Sequence, residues 1–219
     1  MAIEWDGTQT RRLPVYLLLD CSSSMSGVKI QQVNTGVQTI YQELQNDPRS
    51  ADTVHISIIP FNTTAYQMDL VPITQFQPPS LQANGSTALG AALSLLNQSL
   101  DNDLIQNQPG KKGDYKPLVF LLTDGMPTDS WQGEATKLQN RTSNKTANII
   151  AIAIGSDADT SVLHQIANSV LLMTDVNSSN LNALFQWVSA SVQTASKAAQ
   201  GSGQNAQLPP PPQGIVVDL

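Results

Sequence analysis

One aspartate and two serines stand at alternate positions where an apolar run stops. LPVYLLLDCSSSMS, residues 13–26, places Asp20, Ser22 and Ser24 directly after Val15–Leu19. In extended backbone, residues i, i+2 and i+4 point to one side. One carboxylate and two hydroxyls therefore converge, while Cys21 and Ser23 face away. Hard oxygen donors of this kind suit Mg2+, Mn2+ or Ca2+. The spacing alone is not diagnostic, because Ser-rich turns also cap helices. Two more residues sharpen it: Thr87 in NGSTALG, just ahead of a helical pattern, and Asp124, which closes a second apolar run in PLVFLLTDGMPTD.

Together, Asp20, Ser22, Ser24, Thr87 and Asp124 resemble the metal-ion-dependent adhesion site of von Willebrand factor type A domains. In that family DxSxS, a distant Thr and a later Asp surround one divalent ion. The likeness spans most of residues 13–190, and each of the five residues falls on a motif position. It implies Mg2+, or Mn2+ or Ca2+, as cofactor, with some contacts through water. Two carboxylates and three neutral hydroxyls leave such an ion with little excess negative charge. An open position would then hold water, or an Asp or Glu of a partner protein.

Within the family, RRLPVYLLLDCSSSMSG and LLTDGMPTD are similar to the tellurite-resistance TerY-like group, which has Gly where this chain has Ser23. That narrower likeness implies a cytoplasmic, non-enzymatic module that binds partner proteins. It links the module with a protein phosphatase of the PP2C type, a Ser/Thr kinase and stress or tellurite resistance.

Two other readings stay open: a metal-assisted phosphohydrolase, and the same fold with a purely structural ion. A hydrolase would normally add a general base or a second carboxylate beside the nucleophile. A dehalogenase-type phosphohydrolase would need a second Asp where Ser22 stands. The nucleotide signatures GxGxxG and GxxxxGK[ST] and the serine-hydrolase elbow GxSxG are absent. Asp129 reads as a solvated cap for the helix that follows it, and His55 and His164 as packed or surface residues without partners. Cys21 reads as core, as do Phe185 and Trp187; Trp131 is either a rim residue or a helix cover.

The elements that must carry these residues alternate. Strands are expected at 15–19, 53–60, 65–71, 118–122, 148–154 and 170–173, with helices from Val28 to Leu44, Ala88 to Leu100, Trp131 to Asn144, Thr160 to Asn168 and Leu181 to Ala195. The pattern predicts an α/β, doubly wound, mostly parallel sheet of six strands, Rossmann-like, with 65–71 as one antiparallel edge. Ligands bind such sheets beyond the strands' carboxyl ends, where the strand order reverses. In the 3-2-1-4-5-6 order that the family resemblance implies, the strands ending at Asp20 and Asp124 are neighbours about 4.8 Å apart, so one ion can meet both carboxylates.

Residues 1–12 read as a lead-in with Arg11 and Arg12 on the surface and Trp5 covering an edge, 13–197 as the domain, and 198–219 as a flexible Gly/Gln/Pro-rich tail. Only the small apolar patch Ile215–Val217 offers that tail a means of docking. With 219 residues and 40% hydrophobic content, one domain can bury a sizeable core. A net charge of -6 with scattered basic residues argues against nucleic acid and anionic membranes as partners. A single Cys forms no intrachain disulfide and, with two distant His, no zinc cage. Together with a polar N-terminus, this sets the expectation of a cytoplasmic protein.

Overall fold

The computed structural model describes residues 11–142, 146–155, 158–201 and 207–218. Seven strands form one sheet: β1 (Leu13–Asp20), β2 (Val54–Phe61), β3 (Val71–Pro72), β4 (Leu118–Thr123), β5 (Asn148–Ile154), β6 (Ser169–Met173) and β7 (Val216–Asp218). Their order is β3-β2-β1-β4-β5-β6-β7, parallel except at the two edges. The helices are α1 (Val28–Asn46), α2 (Pro48–Thr53), α3 (Leu89–Asn102), α4 (Gln132–Gln139), α5 (Thr160–His164) and α6 (Ser178–Gly201).

Period-two alternation along β1 sorts its side chains into two cores. Val15, Leu17 and Leu19 pack with α1 and α6 through Val33, Val37, Leu184 and Val188. Tyr16 and Leu18 face the other layer, with Leu93 and Leu96 of α3 and Val162 of α5. Every residue of β1 is buried, which explains why it reads as a continuous apolar run. Its carboxyl end, Asp20, is buried as well, and hydrogen bonds from Ser22 N and the Thr123 hydroxyl satisfy it.

Several boundaries differ from the sequence expectation. The expected strand 65–71 shrinks to Val71–Pro72, and the chain returns along β2 through single bonds, Tyr66 N to Pro60 O and Met68 N to Ile58 O. Helix α2 was not anticipated, although Asp47 accepts from the Ser50 backbone N–H and Pro48 fits the first turn, where a missing N–H costs nothing. Helices α4 and α5 are shorter than expected. Arg11 and Arg12 are not idle surface residues. Arg12 pairs with Asp114, and Arg11 lies over the Tyr115 ring, so the pair staples the 103–116 connection to the start of β1.

The largest correction concerns the C-terminus. Residues 207–218 lie against the domain rather than forming a free tail, and the sheet has seven strands rather than six, with two antiparallel edges. Trp187 Nε1 donates to the Pro209 carbonyl at 2.9 Å, Ile215 is buried in the α1/α6 core, and β7 pairs with β6. An open β6 edge would leave unpaired N–H and C=O groups; Val216–Asp218 supply the pairing and Ile215 the apolar contact. His164, read as unpartnered, meets Asp218 at 3.0 Å. Trp5 lies outside the described residues, as do 143–145 of the expected fourth helix and 202–206 of the expected tail.

Candidate metal centre

Strand register sets the site. Asp20 ends β1, Leu19 pairs with Leu122, and Asp124 follows two residues later, immediately past the end of β4. The chain leaves β1 toward β2 on one side and enters β4 on the other, so both aspartates flank the reversal point. Thr87 arrives on the loop before α3.

Backbone bonds lock the three loops together. Ser23 N donates to Gly85 O at 3.1 Å and Asn84 N to Cys21 O at 2.8 Å, tying the Asp20 turn to the Thr87 loop. Gly85 allows this approach with φ +72, where any Cβ would strike the Thr63 hydroxyl. Thr87 and Thr128 clasp each other: Thr87 N donates to Thr128 Oγ1 at 3.1 Å, and Thr128 N to Thr87 O at 2.9 Å. That clasp fixes Thr87 to the Asp124 loop. A Cβ on Gly125 would stand 3.4 Å from Thr87 Oγ1 and 3.8 Å from Ser24 Oγ, so both hydroxyls look onto the same small space.

Four of the five oxygen donors also form a continuous relay with their neighbours. Asp20 is fully buried; its Oδ1 accepts from Ser22 N at 2.8 Å and its Oδ2 from the Thr123 hydroxyl at 2.6 Å. Ser22 Oγ and Ser24 Oγ lie 2.9 Å apart, and Ser24 Oγ donates to Asp124 Oδ1 at 2.6 Å. Burial pushes the Asp20 carboxyl above its ordinary range, against the opposing pull of the Thr123 and Ser22 hydrogen bonds. A buried carboxylate held among neutral donors is short of positive charge.

The five residues expected from the sequence are thus brought together. Four that shape the site were not foreseen. Lys29, from the first turn of α1, places its ammonium on Asp124 Oδ2 and 3.4 Å from the Ser24 carbonyl. Thr123 was hidden in an apolar strand, Thr128 orients Thr87, and Gly125 leaves the space open. Asp129 does cap a helix, but a distant one: its two oxygens accept from Gly90 N and Ala91 N at 2.8 and 2.9 Å, at the start of α3. Trp131 is buried over α3, so its rim role falls away. Cys21 faces the core as expected, and burial pushes its thiol up to about 12.

The donor set fits a divalent ion. It is all oxygen, it joins three loops, and a cationic group already rests on one of its carboxylates. Among the described residues no group of three or more His, Cys, Asp or Glu side chains converges, so the serine and threonine hydroxyls are indispensable to any such site.

An open, mostly parallel sheet with acidic and hydroxyl loops at its reversal point defines an α/β domain of the doubly wound class, whose ligand sites lie beyond the strands' carboxyl ends. The profile of the von Willebrand factor type A domain matches residues 15–187, and the chain belongs to that family. It is 28% identical over 166 residues to human inter-alpha-trypsin inhibitor heavy chain H6, covering 70% of this chain and 12% of that protein. The chain thus spans about an eighth of that relative's length. It is also similar in fold to a von Willebrand factor type A protein from Catenulispora acidiphila, with TM-score 0.62 and 18% identity over 84% of this chain and 43% of the other. Proximal thread matrix protein 1 from the mussel byssus, described with a zinc-occupied MIDAS motif, gives TM-score 0.54 and 20% identity over 82% of this chain and 48% of the other.

Proposed function

We propose that this domain is a metal-ion-dependent protein-interaction module. Asp20, Ser22, Ser24, Thr87 and Asp124 hold one divalent ion, and an Asp or Glu of another protein completes its coordination. The observation that carries this reading is the meeting of five oxygen donors from three mutually bonded loops at the sheet's reversal point. Hard oxygen donors favour Mg2+, with Mn2+ and Ca2+ as substitutes. The zinc-occupied motif of the mussel protein supports a divalent ion in general.

Binding is favoured over hydrolysis by the fate of Asp129. It is the nearest further carboxylate on the Asp124 loop, and both its oxygens are committed to the N-terminus of α3, leaving no spare base there. The site's rim suits a protein partner. Ser24 is exposed, and Val28 and Met126, which flank the two acidic loops in sequence, are 53% and 54% exposed. The tellurite-resistance setting, with its PP2C-type phosphatase and Ser/Thr kinase, rests on two sequence motifs alone.

Affinity capture with the wild-type domain and with Asp20→Ala, each in Mg2+ and in chelator, tests it. A partner retained only by wild type in Mg2+ is the expected result. Partners retained equally in all four conditions would remove the ion from the binding surface.

A further inference from the structure

Lys29 is an odd choice for its position. It is the second residue of α1, where the helix N-terminus carries partial positive charge and favours Asp or Glu. Nothing in the helix itself rewards a cation there. Its reward lies across the site: Nζ pairs with Asp124 Oδ2 and approaches the Ser24 carbonyl at 3.4 Å. The Asp124 side chain is 1% accessible, so this carboxylate has little water to solvate it, and Lys29 supplies the compensating charge. Asp20, by contrast, is met only by neutral donors. One ammonium therefore sits on one of two carboxylates that the proposed ion needs.

Two cations on one carboxylate repel. The lysine stem is flexible and its side chain is 28% accessible, so the ammonium has a route outward. Resting on the ion-site reading above, we propose that Lys29 is an internal competitor for the divalent ion, holding Asp124 until the ion displaces its ammonium toward the rim. The lysine then does two things in sequence. It stabilises the ion-free domain by keeping Asp124 paired, and it raises the divalent-ion concentration needed to fill the site.

The test is a calorimetric titration of Mg2+ into wild type, Lys29→Gln and Lys29→Arg, with the melting temperature of each measured in chelator and in Mg2+. Lys29→Gln is expected to bind Mg2+ about tenfold more tightly than wild type, equal to about 1.4 kcal/mol. Its melting temperature in chelator falls below that of wild type, while its gain on adding Mg2+ is larger. Lys29→Arg, which keeps the charge, binds no more tightly than wild type. A merely structural lysine would lower the melting temperature without raising affinity. Equal or weaker Mg2+ binding by Lys29→Gln overturns the competitor role and leaves the ion site standing. Binding by neither wild type nor Lys29→Gln overturns both. Should Lys29→Gln fold poorly, Lys29→Met, which keeps the apolar stem, carries the same expectation.

Discussion

The Ser24 hydroxyl donates to Asp124 Oδ1 at 2.6 Å, joining two turns whose residues lie 100 positions apart in the chain. Together with the bond from the Thr123 hydroxyl to Asp20, it makes a single site of two strand ends. Asp124→Ala deprives both the Ser24 hydroxyl and the Lys29 ammonium of their acceptor, and it removes one of the two carboxylates of the proposed ion site. Mg2+ affinity is expected to drop at least about a hundredfold, from the loss of one charged ligand. Titration calorimetry reads it, and an affinity within a few-fold of wild type would mean that Asp124 is not a ligand.

Asp20 holds its negative charge where burial opposes it. In the absence of an ion its folded-state pKa lies above the ordinary 3.8, so ionisation above that range weakens the folded state. Asp20→Asn removes this penalty and still accepts from Ser22 N, with its amide donating to the Thr123 hydroxyl. In chelator at neutral pH, its melting temperature is expected to rise by about 2–4 °C, with Mg2+ binding lost. A fall in melting temperature would show that the carboxylate stabilises the ion-free fold.

Helices α1 and α6 approach so closely at Gly36 that a Cβ there would lie 2.1 Å from the Phe185 ring. Gly36→Ala must push α6 aside or turn the ring. It is expected to cost about 1–3 kcal/mol in denaturant unfolding, as overpacking does. No loss of stability would mean that the two helices are not in contact.

The C-terminal strand has its own pH dependence. Hydrogen bonds from Thr160 and then His164 hold the Asp218 carboxyl below its ordinary 3.8. A depressed folded-state value contributes stability above 3.8 that is lost as pH falls through the lower one. Asp218→Asn should therefore speed amide exchange in β7 at neutral pH and make no difference once the wild-type carboxyl is protonated. Equal exchange at neutral pH would show that the clasp does not hold β7.

How much of this was legible in the sequence follows from what each signal depends on. DxSxS after an apolar run is local and the alternating pattern marks β1, β2, β4, β5 and β6, but the strand order, and with it the grouping of Asp20, Ser22, Ser24, Thr87 and Asp124 at the reversal point, comes from the family resemblance and agrees with the observed sheet. Lys29 could not be foreseen, because a lysine early in a helix looks like surface until a partner on the loop after β4 is known. Its one visible signal was its position against the helix dipole. Thr123 carried a signal too, as the single polar residue of LVFLLT. The C-terminus misled because PPPP and its polar neighbours suggested a free linker, whereas pairing with β6 depends on an edge that composition does not reveal.

The ion itself is the central matter, and a calorimetric titration of Mg2+ or Mn2+ into the wild-type domain and into Asp20→Ala addresses it most directly. Saturable binding of one ion by wild type, absent in Asp20→Ala, is the expected result. Equal binding by both proteins, or none by wild type, would contradict it.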